Sequence, residues 1–352
     1  MKGLLSIIVF LFGGIITAVY IGFGFQTSPE TTVVDEELIG LHEKYTLKFS
    51  HVVARNTPKG LAAAYFAELV KEKTNGWVEV QIFPNGVLYS AQEEFEALQR
   101  GDVHIIAPAF SEVTLHDKKW VAMDLPFLFD NEAMVEQAFN GRVGEILLNS
   151  IETKGYKGIA FWDNGFKQLT NNERPIVYPE DIKGLSFRVM PSEALFKTYR
   201  TIGARAITFP FNEVYNVLQD GIVDGQENTL SNIYSKGFYK QQKYMTISNH
   251  NYLGYVILVD PTLWNTIPEI YQESIQEAMD EVTLWLREHA KELNKEMFLR
   301  IAGSGITEIH ELSEEEKVQW RKELKRLYEE YELTIGKELM EEIRKLQIDR
   351  DN

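Results

Sequence analysis

The fold of this chain is decided by one stretch, FPFNEVYNVLQDGIVDGQEN, which runs from Phe209 to Asn228. It predicts a helix that ends at Gly221, because glycine readily adopts the left-handed backbone that terminates helices. A short apolar strand follows, and then a polar turn rich in hydrogen-bonding groups. The stretch therefore predicts an α/β unit with a polar end.

A weaker copy of this pattern lies about 120 residues earlier. At that offset, Glu93, Leu98, Gln99, Gly101 and Val103 recur as Glu213, Leu218, Gln219, Gly221 and Val223. One strand–helix–strand unit used twice predicts two similar α/β halves that face each other. The cleft between such halves is a natural ligand site.

The rest of the chain alternates between strand and helix patterns, which predicts mostly parallel sheets. A strand is expected over 158–162, and the segments 163–165 and 252–255 are expected to cross between the halves. Glycine in these segments could absorb a hinge rotation, although a plain turn explains it equally well. A long amphipathic helix is predicted from Pro268 to about Arg300, followed by a charged helix.

The bulk composition excludes several classes of function. A net charge of −16 over 352 residues argues against nucleic acid as a partner, since no basic stripe is available to neutralise phosphates. Any site for an anion must then be a local positive island. The absence of cysteine excludes disulfides, thiolate metal sites and an acylated lipoprotein anchor.

The N-terminus predicts the compartment. After Lys2 no charged residue occurs before Glu30, and the gap is largely apolar. A run this long suits a membrane-spanning helix, which needs about 20 residues, better than a signal-peptide core. Residues 1–25 are therefore predicted to be an uncleaved signal anchor, with 26–44 as an acidic linker to an extracytoplasmic body. The alternative is a long cleaved signal peptide and a secreted protein.

The sequence contains none of the common catalytic or nucleotide-binding motifs. No GxGxxG unit, GxxxxGK[ST], HExxH or GxSxG motif occurs, and the seven histidines show no ligand-like pairing. We therefore expect a receptor rather than an enzyme, with no catalytic residues, no metal and no cofactor. A secreted hydrolase on a similar α/β scaffold is the alternative.

Several motifs carry a resemblance to a known family. The principal ones are NEVY at 212–215, LQ at 218–219 and DGQEN at 224–228; supporting ones are DIKGLSFRV at 181–189, DLPFLF at 124–129 and SNH at 248–250. Spread over about residues 45–310, they resemble the signature of the extracytoplasmic solute receptors of TRAP transporters, the DctP family.

Arg188 and Asn228 are the first two candidate ligand-binding residues. Strand alternation separates Arg188 from Leu185, Phe187 and Val189, near the carboxyl end of its strand, where open α/β sheets bind ligands. Its planar fork fits a carboxylate, although a salt bridge within the protein is the alternative. Asn228 suits a carboxylate or hydroxyl, or a turn bond to its own backbone. The resemblance implies a ligand contact for both, although Thr229 stands where proline is more usual.

Three further candidates are Lys167, His51 and Phe211. Lys167 follows a strand at the predicted crossing, where the family often has arginine, and would supply a second positive charge. A solvated surface lysine is the alternative. His51 ends the first strand and could donate to a carboxylate or be structural. Phe211 could wall the pocket or belong to the core.

Together, the residues and the resemblance predict a two-domain α/β fold of the periplasmic-binding-protein type, with a hinge and a long connecting helix behind the anchor. Domain I is expected at 45–164 plus about 254–300, and domain II at 165–253 plus about 301–345. The expected ligand is a small organic acid, above all a C4-dicarboxylate such as succinate, fumarate or malate. The expected partner is a TRAP permease, with a dicarboxylate-sensing histidine kinase as the alternative.

Overall fold

The computed structural model of the chain describes residues 44–348. The predicted signal anchor, and the predicted linker apart from Lys44, lie outside the described residues. Within 44–348, no helix is both long and apolar enough to cross a membrane.

The first α/β unit begins the described chain. Its elements are β1 (Tyr45–Ser50), α1 (Pro58–Lys73), β2 (Val78–Phe83), α2 (Glu93–Gln99) and β3 (Ile105–Ile106). Strand β1 lies between β2 and β3 and is parallel to both. The hydroxyl of Thr57 accepts a hydrogen bond from the backbone of Gly60, which satisfies one of the free amides at the start of α1. The helix therefore starts at Pro58, directly after its cap residue Thr57.

The second α/β unit repeats this arrangement. Its elements are β5 (Ser186–Val189), α6 (Glu193–Thr201), β6 (Arg205–Thr208), α7 (Val214–Gln219) and β7 (Gly225–Thr229). Strand β5 lies between β6 and β7 and is again parallel to both. Gly101 and Gly221, which follow α2 and α7, both have positive φ, at 73° and 65°. The internal repeat predicted from the sequence is therefore a structural repeat.

Two antiparallel strands lie between the two units and connect them into one continuous order of hydrogen-bonded strands. Strand β4 (Lys157–Asn171) pairs with β9 (Tyr252–Val259) over its first ten residues and with β7 over its last five. The strand expected over 158–162 is therefore much longer than predicted. A register shift between Asp163 and Gly165, where Gly165 has a φ of 147°, lets the chain bend without ending the strand.

The remaining elements surround these sheets. They are α3 (Phe110–Val113), α4 (Glu132–Asn140), α5 (Arg142–Glu152), α8 (Leu230–Ser235), β8 (Tyr244–Ile247), α9 (Pro261–Trp264), α10 (Glu269–Ser304), β10 (Glu308–Glu311), α11 (Glu314–Leu324), α12 (Arg326–Ile335) and α13 (Lys337–Ile348). Four 3₁₀ turns occupy Lys118–Asp124, Pro179–Ile182, Phe211–Glu213 and Phe238–Lys240.

Helix α10 is the long connecting helix that the sequence predicted. Its 36 residues give it a length of about 54 Å at a rise of about 1.5 Å per residue. One stripe of the helix, which includes Ile275, Met279, Val282 and Leu286, is buried in a core cluster that also contains residues of α1 and β4. Further along, α10 packs against α8. The helix therefore contacts α1 of the first α/β unit and also α8, which directly follows β7 of the second.

Candidate functional site

A small cavity lies between the two α/β units. Its charged and aromatic lining includes Lys59, Glu94 and Glu112, which lie on helices that follow strands of the first unit. Arg188 on β5, Phe211 in the turn after β6 and Tyr255 on β9 line it as well.

Arg188 lies on β5 and is only 2% exposed. Its Nε and Nη2 donate to the backbone oxygen of Phe209 at 3.1 and 2.9 Å, which fixes the orientation of the guanidinium. Its Nη1 is buried and has no hydrogen-bond partner among residues 44–348. Burial lowers the pKa of Arg188 to about 10, although Glu112 and Glu227 oppose the shift. A buried, oriented and incompletely paired cation is suited to an anionic ligand.

Lys59 supplies a second buried cation, in the first turn of α1. It is 1% exposed, and its Nζ donates to the backbone oxygen of Ala107 at 2.8 Å. The same Nζ lies 3.8 Å from the ring centroid of Tyr255, a cation–π contact. Burial lowers the pKa of Lys59 to about 8, opposed by Glu94 and Glu112. Because one backbone bond uses only one of its three protons, the ammonium can donate further.

Two carboxyl groups, those of Glu94 and Glu112, also line the cavity. Glu94 accepts a hydrogen bond from Ser50 Oγ at 2.7 Å, and Glu112 accepts one from Gln92 Nε2 at 3.2 Å. Burial raises the pKa of each to about 7, although Lys59 opposes the shift of Glu94 and Arg188 opposes that of Glu112. The cavity therefore contains, beside its two cations, two carboxyl groups with a pKa near neutrality.

Asn228 combines the two interpretations that the sequence left open. It lines the cavity at the end of β7, and its Oδ1 accepts the backbone amide of Thr229 at 3.0 Å. The same oxygen accepts Asn232 Nδ2 at 2.8 Å. The local turn bond thus uses the carbonyl end of Asn228, which leaves the amide nitrogen as the group available to a ligand.

Phe211 lines the cavity from the 3₁₀ turn before α7. Its ring packs edge-on against Phe238 with the centroids 6.0 Å apart. Apolar side chains such as Val53 and Leu253 complete the wall. The cavity therefore combines a few charged groups with an apolar surround, as small-molecule sites usually do.

The structure does not bring Lys167 or His51 into the lining of this cavity. Lys167 is 1% exposed, and its Nζ lies 2.9 Å from Oε1 of the fully buried Glu227. Glu227 also accepts Tyr199 Oη and pairs with His250 Nε2. The physical reason for the position of Lys167 is this internal ion pair. Its alternative interpretation as a solvated surface lysine is wrong, because the side chain is buried.

His51 is buried at the end of β1, next to two cavity-lining valines. Burial and the nearby Lys59 lower its pKa to about 3, so its imidazole is neutral at physiological pH. It therefore contributes no positive charge to the cavity.

Lys59, Glu94 and Glu112 were missed as site residues by the sequence reasoning. One signal was present for Lys59: it lies just beyond the carboxyl end of the first predicted strand, where α/β sheets bind ligands. No comparable local signal marks the two glutamates, since they belong to ordinary helical patterns.

Among residues 44–348, no group of three or more metal-ligating side chains is placed to hold a metal ion. What the cavity offers is an oriented guanidinium and an ammonium from opposite units, together with an amide donor. This arrangement suits non-covalent capture of a small ligand with more than one negative group.

Comparison with known proteins agrees with this geometry. Residues 49–334 match the family model DctP, described as bacterial extracellular solute-binding protein, family 7. The chain is 42% identical over 349 residues to the C4-dicarboxylate-binding protein DctB of Bacillus subtilis (strain 168), a match that covers 99% of this chain and 100% of that protein. It is 40% identical over 299 residues to the C4-dicarboxylate-binding periplasmic protein DctP of Rhodobacter capsulatus, covering 85% and 90%.

A solved structure shares the fold. The TRAP periplasmic solute-binding protein of Sulfurospirillum deleyianum, crystallised with bound succinate, aligns with a TM-score of 0.82 at 40% identity. The alignment covers 86% of this chain and 99% of that protein. The described residues thus have the two-domain α/β fold of periplasmic solute-binding proteins. With the family match extending over residues 49–334, the chain belongs to the DctP family of bacterial extracellular solute-binding proteins.

Proposed function

We propose that this protein captures a C4-dicarboxylate outside the cytoplasm and delivers it to a TRAP transporter. The observation that carries the proposal is the pair of buried cations, Arg188 and Lys59, which line one cavity from opposite α/β units. Proteins of the DctP family bind solutes and are not enzymes.

Each cation is assigned one carboxylate of the ligand. Within the described part of the chain, Arg188 Nη1 has no hydrogen-bond partner, so a ligand oxygen would satisfy a buried donor that is otherwise unpaired. Lys59 lies across the cavity and has donors to spare beyond its bond to Ala107. Asn228 would donate its amide to the same ligand.

The double charge sets the expected class of ligand. A monocarboxylate would leave one of the two cations without a ligand carboxylate to bind, and buried donors without a partner are costly. A linear dianion satisfies both cations. The names of the Bacillus and Rhodobacter relatives, and the succinate in the Sulfurospirillum structure, support a C4-dicarboxylate.

We further propose the division into domains that the sequence predicted, at 45–164 plus about 254–300 and at 165–253 plus about 301–345. The boundary falls on β4 and β9, where Asp163 pairs with Gly254 and the register shifts before Gly165. Bending at these positions would open and close the cavity. The closed form would be the one that the membrane partner recognises.

The partner is proposed to be the membrane subunits of a TRAP permease, with residues 1–25 holding the receptor at the membrane. The sensor-kinase interpretation differs in one measurable respect. Deleting the permease genes should abolish succinate uptake that depends on this receptor, whereas a pure sensor would leave uptake intact and lose only a transcriptional response. Sedimentation of the full chain with membranes, and its release by detergent alone, tests the anchor.

The ligand proposal is tested by isothermal titration calorimetry of the full chain. Succinate, fumarate and malate are compared with butyrate, which has one carboxylate on the same carbon count, and with galactonate, a larger monocarboxylate. The expected result is saturable binding of at least one dicarboxylate and much weaker binding of butyrate. Tight galactonate binding without dicarboxylate binding would refute the proposal.

A further inference from the structure

Glu112 occupies an unusual position for a site that takes up an anion. It is 5% exposed, follows β3 on the short helix α3 and lines the cavity together with both cations. The hydrogen bond that its side chain accepts from Gln92 Nε2 is 3.2 Å long. Besides that bond, the charge of Glu112 is stabilised by Arg188 and Lys59, the two groups assigned to the ligand.

The charged surroundings of Glu112 come from five elements. Lys59 of α1 and Arg188 of β5 favour its ionised form, while Asp124 of the neighbouring 3₁₀ turn disfavours it. Glu94 of α2 lies close enough for its own pKa to be raised by Glu112. Tyr255 of β9 is neutral, since burial raises its pKa to about 12.

A dianionic ligand would shift the protonation equilibrium of Glu112 towards the neutral acid. Its carboxylates draw on the same two cations and add negative charge beside Glu112. Like charges at short range disfavour ionisation. Burial already raises the pKa of Glu112 to about 7, so a further rise crosses physiological pH.

We propose that Glu112 takes up a proton from solvent when a dicarboxylate enters the cavity, so that the receptor captures the ligand and a proton together. The step converts a carboxylate to a carboxylic acid; no other bond forms or breaks. The inference rests on the proposed function, because it requires a ligand that carries negative charge to both cations.

The sign of the pH dependence follows from linkage. Because the bound state holds more protons than the free state, affinity falls as pH rises, by at most about tenfold per pH unit for one proton. The useful window is about pH 6 to 7.5: above it Lys59 also titrates, and below it ordinary carboxyl groups with a pKa near 4 begin to protonate.

The test is calorimetry of the full chain with succinate, at several pH values within this window and in two buffers that differ in ionisation enthalpy. The difference in heat between buffers gives the number of protons taken up. Wild-type protein should take up a fraction of a proton that grows with pH, about half a proton at pH 7, and its dissociation constant should rise with pH. Glu112→Gln, which resembles the protonated acid in shape, should lose the uptake and bind with little pH dependence.

Glu96→Gln serves as the matched control, because Glu96 lies on the same helix α2 as Glu94 but is exposed and does not line the cavity; it should retain the uptake. Succinate binding by wild-type protein with no proton uptake would overturn the inference, as would undiminished uptake in Glu112→Gln. Failure of the proposed function gives a different result, since succinate would then produce no binding heat at any pH.

Discussion

Replacing Arg188 by alanine is the sharpest perturbation of the proposed site. The wild-type guanidinium is held by two bonds to the backbone oxygen of Phe209, and its Nη1 is free for a ligand. The substitution removes a donor that is already oriented. It also removes a buried positive charge. No other residue that lines the cavity offers a ligand carboxylate the same planar guanidinium geometry.

The expected loss follows from these contacts. Removing one member of a buried, hydrogen-bonded charge pair costs about 2–5 kcal/mol. At about 1.4 kcal/mol per tenfold, affinity for succinate should fall roughly thirtyfold to several thousandfold. Arg188→Lys keeps the charge but loses the planar fork, so its affinity should stay within about tenfold of that of the alanine variant.

Calorimetry with succinate measures the loss, and Arg205→Ala is the matched control. Arg205 lies opposite Ser186 on the adjacent strand β6, but its side chain is exposed. Exposed substitutions usually change stability by less than about 0.5 kcal/mol, so this variant should bind as wild type does. Thermal unfolding of the unliganded variants separates lost binding from lost folding. Near-normal affinity in a folded Arg188→Ala protein would refute the assignment.

Three further predictions address the other charged groups. Lys59→Met should weaken succinate by about 1.5–3 kcal/mol, the value of a charged hydrogen bond, but butyrate much less; equal losses in calorimetry would remove Lys59 from the site. Lys167→Met should lower the free energy of unfolding, measured with denaturant, by about 3–5 kcal/mol while leaving the ratio of succinate to butyrate affinity unchanged; a changed ratio would restore Lys167 as a ligand residue. Although burial opposes it, Lys167 and His250 lower the pKa of Glu227 to about 2, so its stabilisation is present above pH 4.5 and is lost as pH falls towards 2. The difference in unfolding free energy between wild type and Glu227→Gln should therefore shrink over that range, and a constant difference would contradict the shift.

The repeated α/β unit could be predicted because its signals are local. Thr57 with Pro58 starts a helix, and Gly101 and Gly221 end helices at positive φ. The full length of β4 could not be predicted, since Asp163–Gly165 looks like a turn when taken alone. The segment stays in the strand because it pairs with β9, about 90 residues later in the chain.

The site was predictable where strand geometry points a residue at the cavity, as it does for Arg188. The site could not be predicted for residues whose environment depends on burial in the folded chain. Lys59 looks like an ordinary solvated lysine in a first helical turn, yet it is 1% exposed. Lys167 looks like a free cation, yet its partner Glu227 lies 60 residues away. Long-range pairing of charges leaves no local mark on a sequence.

The central claim is that two cations from opposite α/β units hold the two carboxylates of one ligand. A crystal structure of the protein with succinate tests it most directly. The account predicts one carboxylate within hydrogen-bond distance of Arg188 Nη1 and the other within hydrogen-bond distance of Lys59 Nζ. Both carboxylates on Arg188, or one of them on a Lys167 released from Glu227, would contradict it.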